Sequence, residues 1–269
     1  MKTATFFENI VKASKEEDLP LEAVLERLKE EGLQKMNIAA RSLEERGKPL
    51  LGLIHEKGIE IEGVYHHFDF VENTEDDSFI RYIDMASASG AENFLAIPGL
   101  YSGKYKKDEC ERRMVEGLRR TVNYARKKKM TVCIEDFDSA DSPLCRIDKM
   151  GQFLTEIPEL KVAFDTGNFA CGLEDELEAY ELFKDRICTV HLKDRGKVQL
   201  HIKDRPCLCL DGSEIYPCPV GRGEIHISEI LRRLEQDGYN GTVAAELFSY
   251  TDMMSGLVES IRWIRCKIQ

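Results

Sequence analysis

The chain has 269 residues, 42% of them hydrophobic and 32% charged. That supplies a large core and matches the size of one α/β barrel, about 250 residues. A net charge of −11 argues against a nucleic-acid partner, which needs a basic face, and no apolar run is long enough for a membrane span. The first residues (MKTATFFE) carry a lysine too early and too short an apolar stretch for a secretory signal. A cytoplasmic location and reduced thiols are therefore expected for the nine cysteines. Cys207, Cys209 and Cys218 are grouped, but they lack the knuckle spacing or partner histidines of a zinc site and read as loop thiols.

In chain order, residues 3–7 form a short first strand. Asp18 is placed as the N-cap of a helix carrying Leu21, Val24, Leu25 and Leu28 on one face and closing at Gly32. Residues 35–40 give a second strand, 50–57 a helix stopped by Gly58, and 59–65 a third strand ending in His66 and His67. A helix over 77–89 and a strand over 93–97 follow. Residues 108–129 carry the clearest helical pattern, with Met114, Leu118, Val122 and Ala125 on one face. Four further strands are predicted at 131–135, 161–165, 188–191 and 242–246, with helices at 148–155, 174–186, 227–234 and 252–268. Residues 195–219 contain Pro206, Pro217 and Pro219 and no periodicity, so they are expected to be a long loop serving as a lid. The rhythm is close to eight βα units with no linker, and it predicts one domain over 1–269, a (β/α)8 TIM barrel.

Four of these strands end in Glu135, Asp165, His191 and Glu246. Glu135 and Asp165 lie 30 positions apart, and Asp165 and His191 lie 26 apart. One βα unit per interval sets the three at one level of neighbouring strands, on the mouth where such barrels hold their chemistry. Singly, each reads as a cap, a salt-bridge partner or a satisfied core group. Together, buried charges at one point require a cation. Three carboxylates and an imidazole, without thiolates, suit one divalent ion: Mn²⁺ first, with Mg²⁺, Co²⁺ or Zn²⁺ also compatible.

The segments Ile134–Glu135–Asp136, Phe164 to Asn168 (FDTGN), Val190 to Asp194 (VHLKD), Val220 to Glu224 (VGRGE) and Ala245–Glu246–Leu247 resemble the xylose isomerase-like TIM barrels, the sugar phosphate isomerase/epimerase superfamily. The motifs cover the C-terminal half, and the N-terminal half agrees by rhythm. The resemblance implies that Glu135, Asp165, His191 and Glu246 are metal ligands. It further implies that Glu135 and Glu246 are the acid/base pair of an isomerase or epimerase acting on a sugar or sugar phosphate through a metal-stabilised enediolate. It places a substrate-binding or proton-relaying histidine after the third strand, and either His66 or His67 qualifies. Asn168 stands where many relatives have histidine, and with Lys193, Asp194, Arg195 and Arg222 it is assigned to substrate binding. Lys193 and Asp194 are alternatively a structural ion pair, and the three cations Lys193, Arg195 and Arg222 could neutralise a phosphate or carboxylate. Gly221 and Gly223 read as a tight turn, not a phosphate loop. Residues 207–219 lack the histidines that endonuclease IV uses for three zinc ions, which counts against a nuclease. An inosose-type dehydratase on the same metal is the alternative. A barrel that binds a sugar without catalysis does not need this ligand set. A homo-oligomer is left open.

Overall fold

The computed structural model describes residues 1–268. In chain order its strands are β1 (Lys2–Phe6), β2 (Lys35–Ala39), β3 (Glu60–His67), β4 (Asn93–Ile97), β5 (Thr131–Glu135), β6 (Lys161–Asp165) and β7 (Ile187–Leu192). An excursion then supplies β8 (Asp194–Gly196), β9 (Cys207–Leu208) and β10 (Glu214–Cys218), and β11 (Thr242–Ala245) is the last. Strands β1 to β7 and β11 close into a parallel barrel in the order β1-β11-β7-β6-β5-β4-β3-β2. Nine α-helices among the described residues surround it. This is the (β/α)8 barrel, in a single domain.

The strands read as continuous apolar runs because both of their faces are covered. Alternation sends Phe6, Tyr65, Leu95, Ile97 and Cys133, with Ala4, Ala163 and Ala244, into the lumen. The intervening residues, such as Ile134, Val162, Phe164, Val190 and Val243, pack outward against the helices. Each large side chain buried there contributes about 1.5–3 kcal/mol. The barrel floor is polar. The Lys35 ammonium lies 3.1 Å from Glu62 Oε2, and Thr242 and Asn93 also donate to the Glu62 carboxylate. A buried charge is thereby fully partnered at the end opposite the candidate site.

The N-terminal half departs most from the sequence expectation. A helix at Phe7–Glu16 follows β1 with no turn residue between them, so no local signal marks its start. The helix closing at Gly32 begins at Leu21 after Pro20, and Asp18, at φ +51°, lies in the turn and does not cap it. Gly32 does close it, at φ +109°. The helix expected from residue 50 spans Ala40–Glu56, and its first half was hidden by Gly47, at φ 51°, and Pro49, which interrupt the pattern. Residues 195–219 are not structureless, since β8, β10 and β9 form a small antiparallel sheet. Period-2 alternation is too short there to be read from sequence. Cys171 and Cys207 form a disulfide, with Cα atoms 6.6 Å apart, which corrects the expectation of uniformly reduced thiols. The pair is 36 residues apart in sequence, and only the folding of β9 over the loop after β6 brings it together.

Candidate metal site and substrate cavity

Glu135 ends β5, Asp165 ends β6, His191 is the penultimate residue of β7, and Glu246 follows β11 directly. Pairing aligns Asp165 with His191 and Glu135 with Ala163. The Glu246 N–H donates to the Leu192 carbonyl at 3.1 Å, extending the β11–β7 ladder by one step. Two positions earlier on their strands, Cys133, Ala163 and Ala244 point into the lumen, so strict alternation delivers Glu135, Asp165 and Glu246 there too. One ligand atom from each of the four residues lies within 4.8 Å of the others, and all four side chains are buried.

The surroundings fix each group. His191 Nδ1 shares a hydrogen bond with Glu135 Oε1 and stands 3.5 Å from Glu246 Oε2. The Phe6 ring meets the imidazole edge-on, with centroids 4.9 Å apart. Asp165 Oδ1 accepts the N–H groups of Gly167 and Asn168, both at 2.8 Å, and its own N–H donates to Asp136 Oδ1. The Lys193 ammonium donates to Asn168 Oδ1 at 2.6 Å and lies 2.6 Å from Glu246 Oε1 and 3.3 Å from Asp165 Oδ2. Asn168 Nδ2 donates to the Asp136 carbonyl, so Asn168 bridges the ends of β5 and β7.

Burial raises the Asp165 carboxyl to about 6, against the pull of Lys193. Burial likewise lifts Glu246 above the usual carboxylate range, with Lys193 opposing and Glu135 adding to the rise. Asp136 is pushed well up by burial and by Asp165 and Glu135. Burial works against charge on His191, but Glu135, Glu246 and Asp165 outweigh it and lift the imidazole to about 9. Burial also works against the Lys193 ammonium, and Asp165 and Glu246 reverse it, holding the group well above the ordinary lysine range.

These groups fit a divalent cation. Asp165 Oδ2 and Glu246 Oε2 are buried without a hydrogen-bond partner. Three carboxylates face one ammonium; a metal that takes the imidazole nitrogen displaces its proton, the cluster then carries two excess negative charges, and a cation of charge two meets both demands. The cluster could therefore hold a metal ion, and its donor set suits Mn²⁺ or Mg²⁺.

The other expected site residues divide. His67, Asn168 and Lys193 line a cavity of about 320 Å³ directly over Glu135 and Glu246. His66, its neighbour on β3, points the other way and packs on Tyr82 with ring centroids 4.2 Å apart. Alternation forces that split, so of the two histidines only His67 reaches the cavity. Arg195 lies to one side, paired with Asp138. Asp194 faces away and is not the ion-pair partner of Lys193. Its carboxylate accepts the N–H groups of Arg195, Gly221, Gly223 and, at 3.4 Å, Ile225. The Gly-Arg-Gly turn thus cradles the chain's own carboxylate, and a Cβ at Gly223 would collide with Asp194. Arg222 is exposed, pairs with Glu259, and stands off the cavity because the turn aims it outward. Replacing Asp194 by Ala is expected to strip these N–H groups and lower stability by about 3 kcal/mol. A urea midpoint identical to wild type would rule that out.

His66 provides a pH test. Burial, with His67 adding, depresses its imidazole from an ordinary 6.5 to about 4. The folded state holds it neutral, so its contribution is complete above pH 6.5 and is lost as pH falls towards 4. Partial exposure makes about 3 kcal/mol an upper bound. His66→Gln is expected to flatten the acid limb of the stability–pH curve, and an unchanged limb would remove His66 as its cause.

Sequence reading missed several cavity residues. Phe6, Tyr65, Phe137 and Phe248 form an aromatic wall, with Asp138 and Ser249 beside them. Tyr65 shares the parity of His67, and Phe248 lies two residues beyond Glu246, so alternation contained the signal. Asp136 and Asp138 sit one and three positions beyond Glu135, in a loop whose path only the fold reveals.

Residues 4–266 match the profile of the xylose isomerase-like TIM barrel family, and the chain belongs to that family. An inosose dehydratase of Clostridium perfringens is 28% identical over 191 residues, covering 65% of this chain. The alignment spans 63% of that relative's length. Among solved structures, D-psicose 3-epimerase from Clostridium cellulolyticum H10, determined with D-tagatose, superposes with a TM-score of 0.75 at 16% identity over the whole of both chains. The 3-keto-D-glucoside 4-epimerase YcjR from E. coli superposes with a TM-score of 0.74 at 16% identity, over 99% of each chain. At these identities the structural likeness concerns the fold.

Proposed function

We propose that this protein is a divalent-metal-dependent isomerase or epimerase acting on a ketose, sugar acid or sugar phosphate. The observation that carries this reading is the buried Glu135–Asp165–His191–Glu246 cluster, with two unpartnered carboxylate oxygens beneath an open cavity. Those four residues would hold the ion, with Mn²⁺ the first candidate. A bound divalent ion supplies Lewis-acid polarisation of a substrate carbonyl. Glu135 and Glu246 then act as base and acid, one removing the proton from the carbon beside that carbonyl and the other delivering a solvent-derived proton from the opposite face. Lys193 and Asn168 orient substrate oxygens, His67 contributes from the opposite wall, and the aromatic wall excludes water. The β8–β10 sheet acts as the lid.

A dehydratase is the second reading, favoured by the 28% identity to an inosose dehydratase. There the same base removes the proton, and the hydroxyl on the next carbon takes a proton from the other glutamate and leaves as water.

The test is metal content by mass spectrometry, followed by incubation with a panel of ketoses, sugar acids and sugar phosphates in deuterium oxide. About one divalent ion per chain, with one solvent deuterium retained at the reacting carbon of an isomeric product, is expected. Loss of water with an absorbing enone would replace isomerisation by dehydration. No stoichiometric ion after incubation with Mn²⁺ would overturn both.

A further inference from the structure

Beside the metal cluster the mouth opens into a second cavity of about 330 Å³, between the loop after β5, the segment entering β9 and the loop after β11. It shares Asp138, Phe248 and Ser249 with the cavity over the cluster, so the two cavities adjoin. Two arginines line it. Arg195 is 4% exposed; its Nη2 pairs with Asp138, while its Nε–H is buried with no partner. A buried donor of this kind is costly unless something supplies an acceptor. Arg205 lines the same cavity and makes no ion pair among the described residues.

Arg205 is held in place on both sides. The carboxylate of buried Asp204 accepts the N–H groups of His201 at 2.9 Å and Thr251 at 2.6 Å. The Arg205 N–H donates to the Ser249 carbonyl, and Cys207 is tied to Cys171. Ser249 itself sits at φ +71°, a strained conformation for a serine at the cavity wall.

Charge selects the ligand. Asp138 already offsets Arg195, and Asp141 lies on the same wall. Two arginines and two aspartates leave the wall with no net charge, and its unpaired donors are the Arg205 guanidinium and the Arg195 Nε–H, a match for a single carboxylate. A phosphate dianion would meet both aspartates. We propose that the substrate is a polyhydroxy carboxylate whose reacting carbons lie over Glu135 and Glu246 and whose carboxylate is bound by Arg205 and the Arg195 Nε–H. This rests on the function proposed above and narrows its substrate class to sugar acids.

The experiment is calorimetric binding to Mn²⁺-treated protein. The probes are D-glucuronate, D-galacturonate and D-gluconate, their neutral hexose or hexitol counterparts, and the matching hexose 6-phosphates. The acids are expected to bind more tightly than both sets. Arg205→Gln is expected to weaken the acids by roughly tenfold to a hundredfold relative to the neutral compounds, and Arg205→Lys to recover part of the loss. Three results would overturn the proposal: no acid preferred over its neutral counterpart, phosphates preferred over acids, or acid affinity insensitive to Arg205→Gln. Metal content of the same samples separates the two readings. Stoichiometric manganese with Arg205-insensitive acids removes only the carboxylate site. Acids bound through Arg205 by protein that takes no metal remove only the metal-dependent reaction.

Discussion

Glu246→Gln is expected to lower turnover by about 10²- to 10⁴-fold, the range of a positioned acid/base group. The substitution keeps side-chain volume and leaves a carbonyl oxygen to accept from Lys193, whose ammonium lies 2.6 Å from Glu246 Oε1. What it removes is the charge and the second oxygen, Oε2, which is buried and has no hydrogen-bond partner. An amide NH₂ in that position cannot accept a proton and presents donors towards His191, 3.5 Å away. Two roles are then separable. A variant that regains turnover at saturating Mn²⁺ would make Glu246 a ligand alone. One that binds the ion but neither turns over nor exchanges deuterium with solvent would make it the proton-transfer group, the expected result. Near-normal turnover at ordinary Mn²⁺ would exclude both roles. Glu135→Gln is a weaker discriminator, because Glu135 also holds the His191 ring through Nδ1.

The barrel and the four-residue cluster were legible in the sequence for one reason. Each of Glu135, Asp165, His191 and Glu246 lies at or next to the end of a short apolar strand, and the spacing between successive strands fixes a common level. Local pattern therefore carried three-dimensional information. It failed where position depends on loops or on parity near a strand end. His66 and His67 are indistinguishable by type, and only the inward placement of Tyr65 on β3 decides between them. Asp194 looked like a partner for Lys193 because they are adjacent, yet adjacent strand residues face opposite ways. The helix at Phe7–Glu16 lacks a start signal, and the Cys171–Cys207 pairing depends on a chain reversal that no local rule encodes.

Lys193 is where the electrostatics of the cluster can be tested without a substrate. It is the only ammonium within 4 Å of Asp165 Oδ2 and Glu246 Oε1 among the described residues, and it is itself buried. Lys193→Met keeps the aliphatic stem and deletes the charge, leaving three carboxylates against the imidazole of His191 alone. Removing one partner from a buried ionic set costs about 3–5 kcal/mol, because the remaining charges are left uncompensated. For a domain of this size the metal-free variant is expected to melt on the order of 10 °C below metal-free wild type. An ion that binds only the folded state restores stability by mass action, about 4 kcal/mol at a thousandfold excess over its Kd. Titrating Mn²⁺ into the variant is therefore expected to close most of the gap, with a larger rise in Tm than wild type shows, because the ion replaces a charge that wild type already carries. Equal melting of the metal-free proteins would mean that Lys193 does not compensate the cluster. A variant deficit that Mn²⁺ cannot reduce would mean that the cluster does not take the ion, and it would remove the basis of the proposed reaction while leaving the barrel untouched.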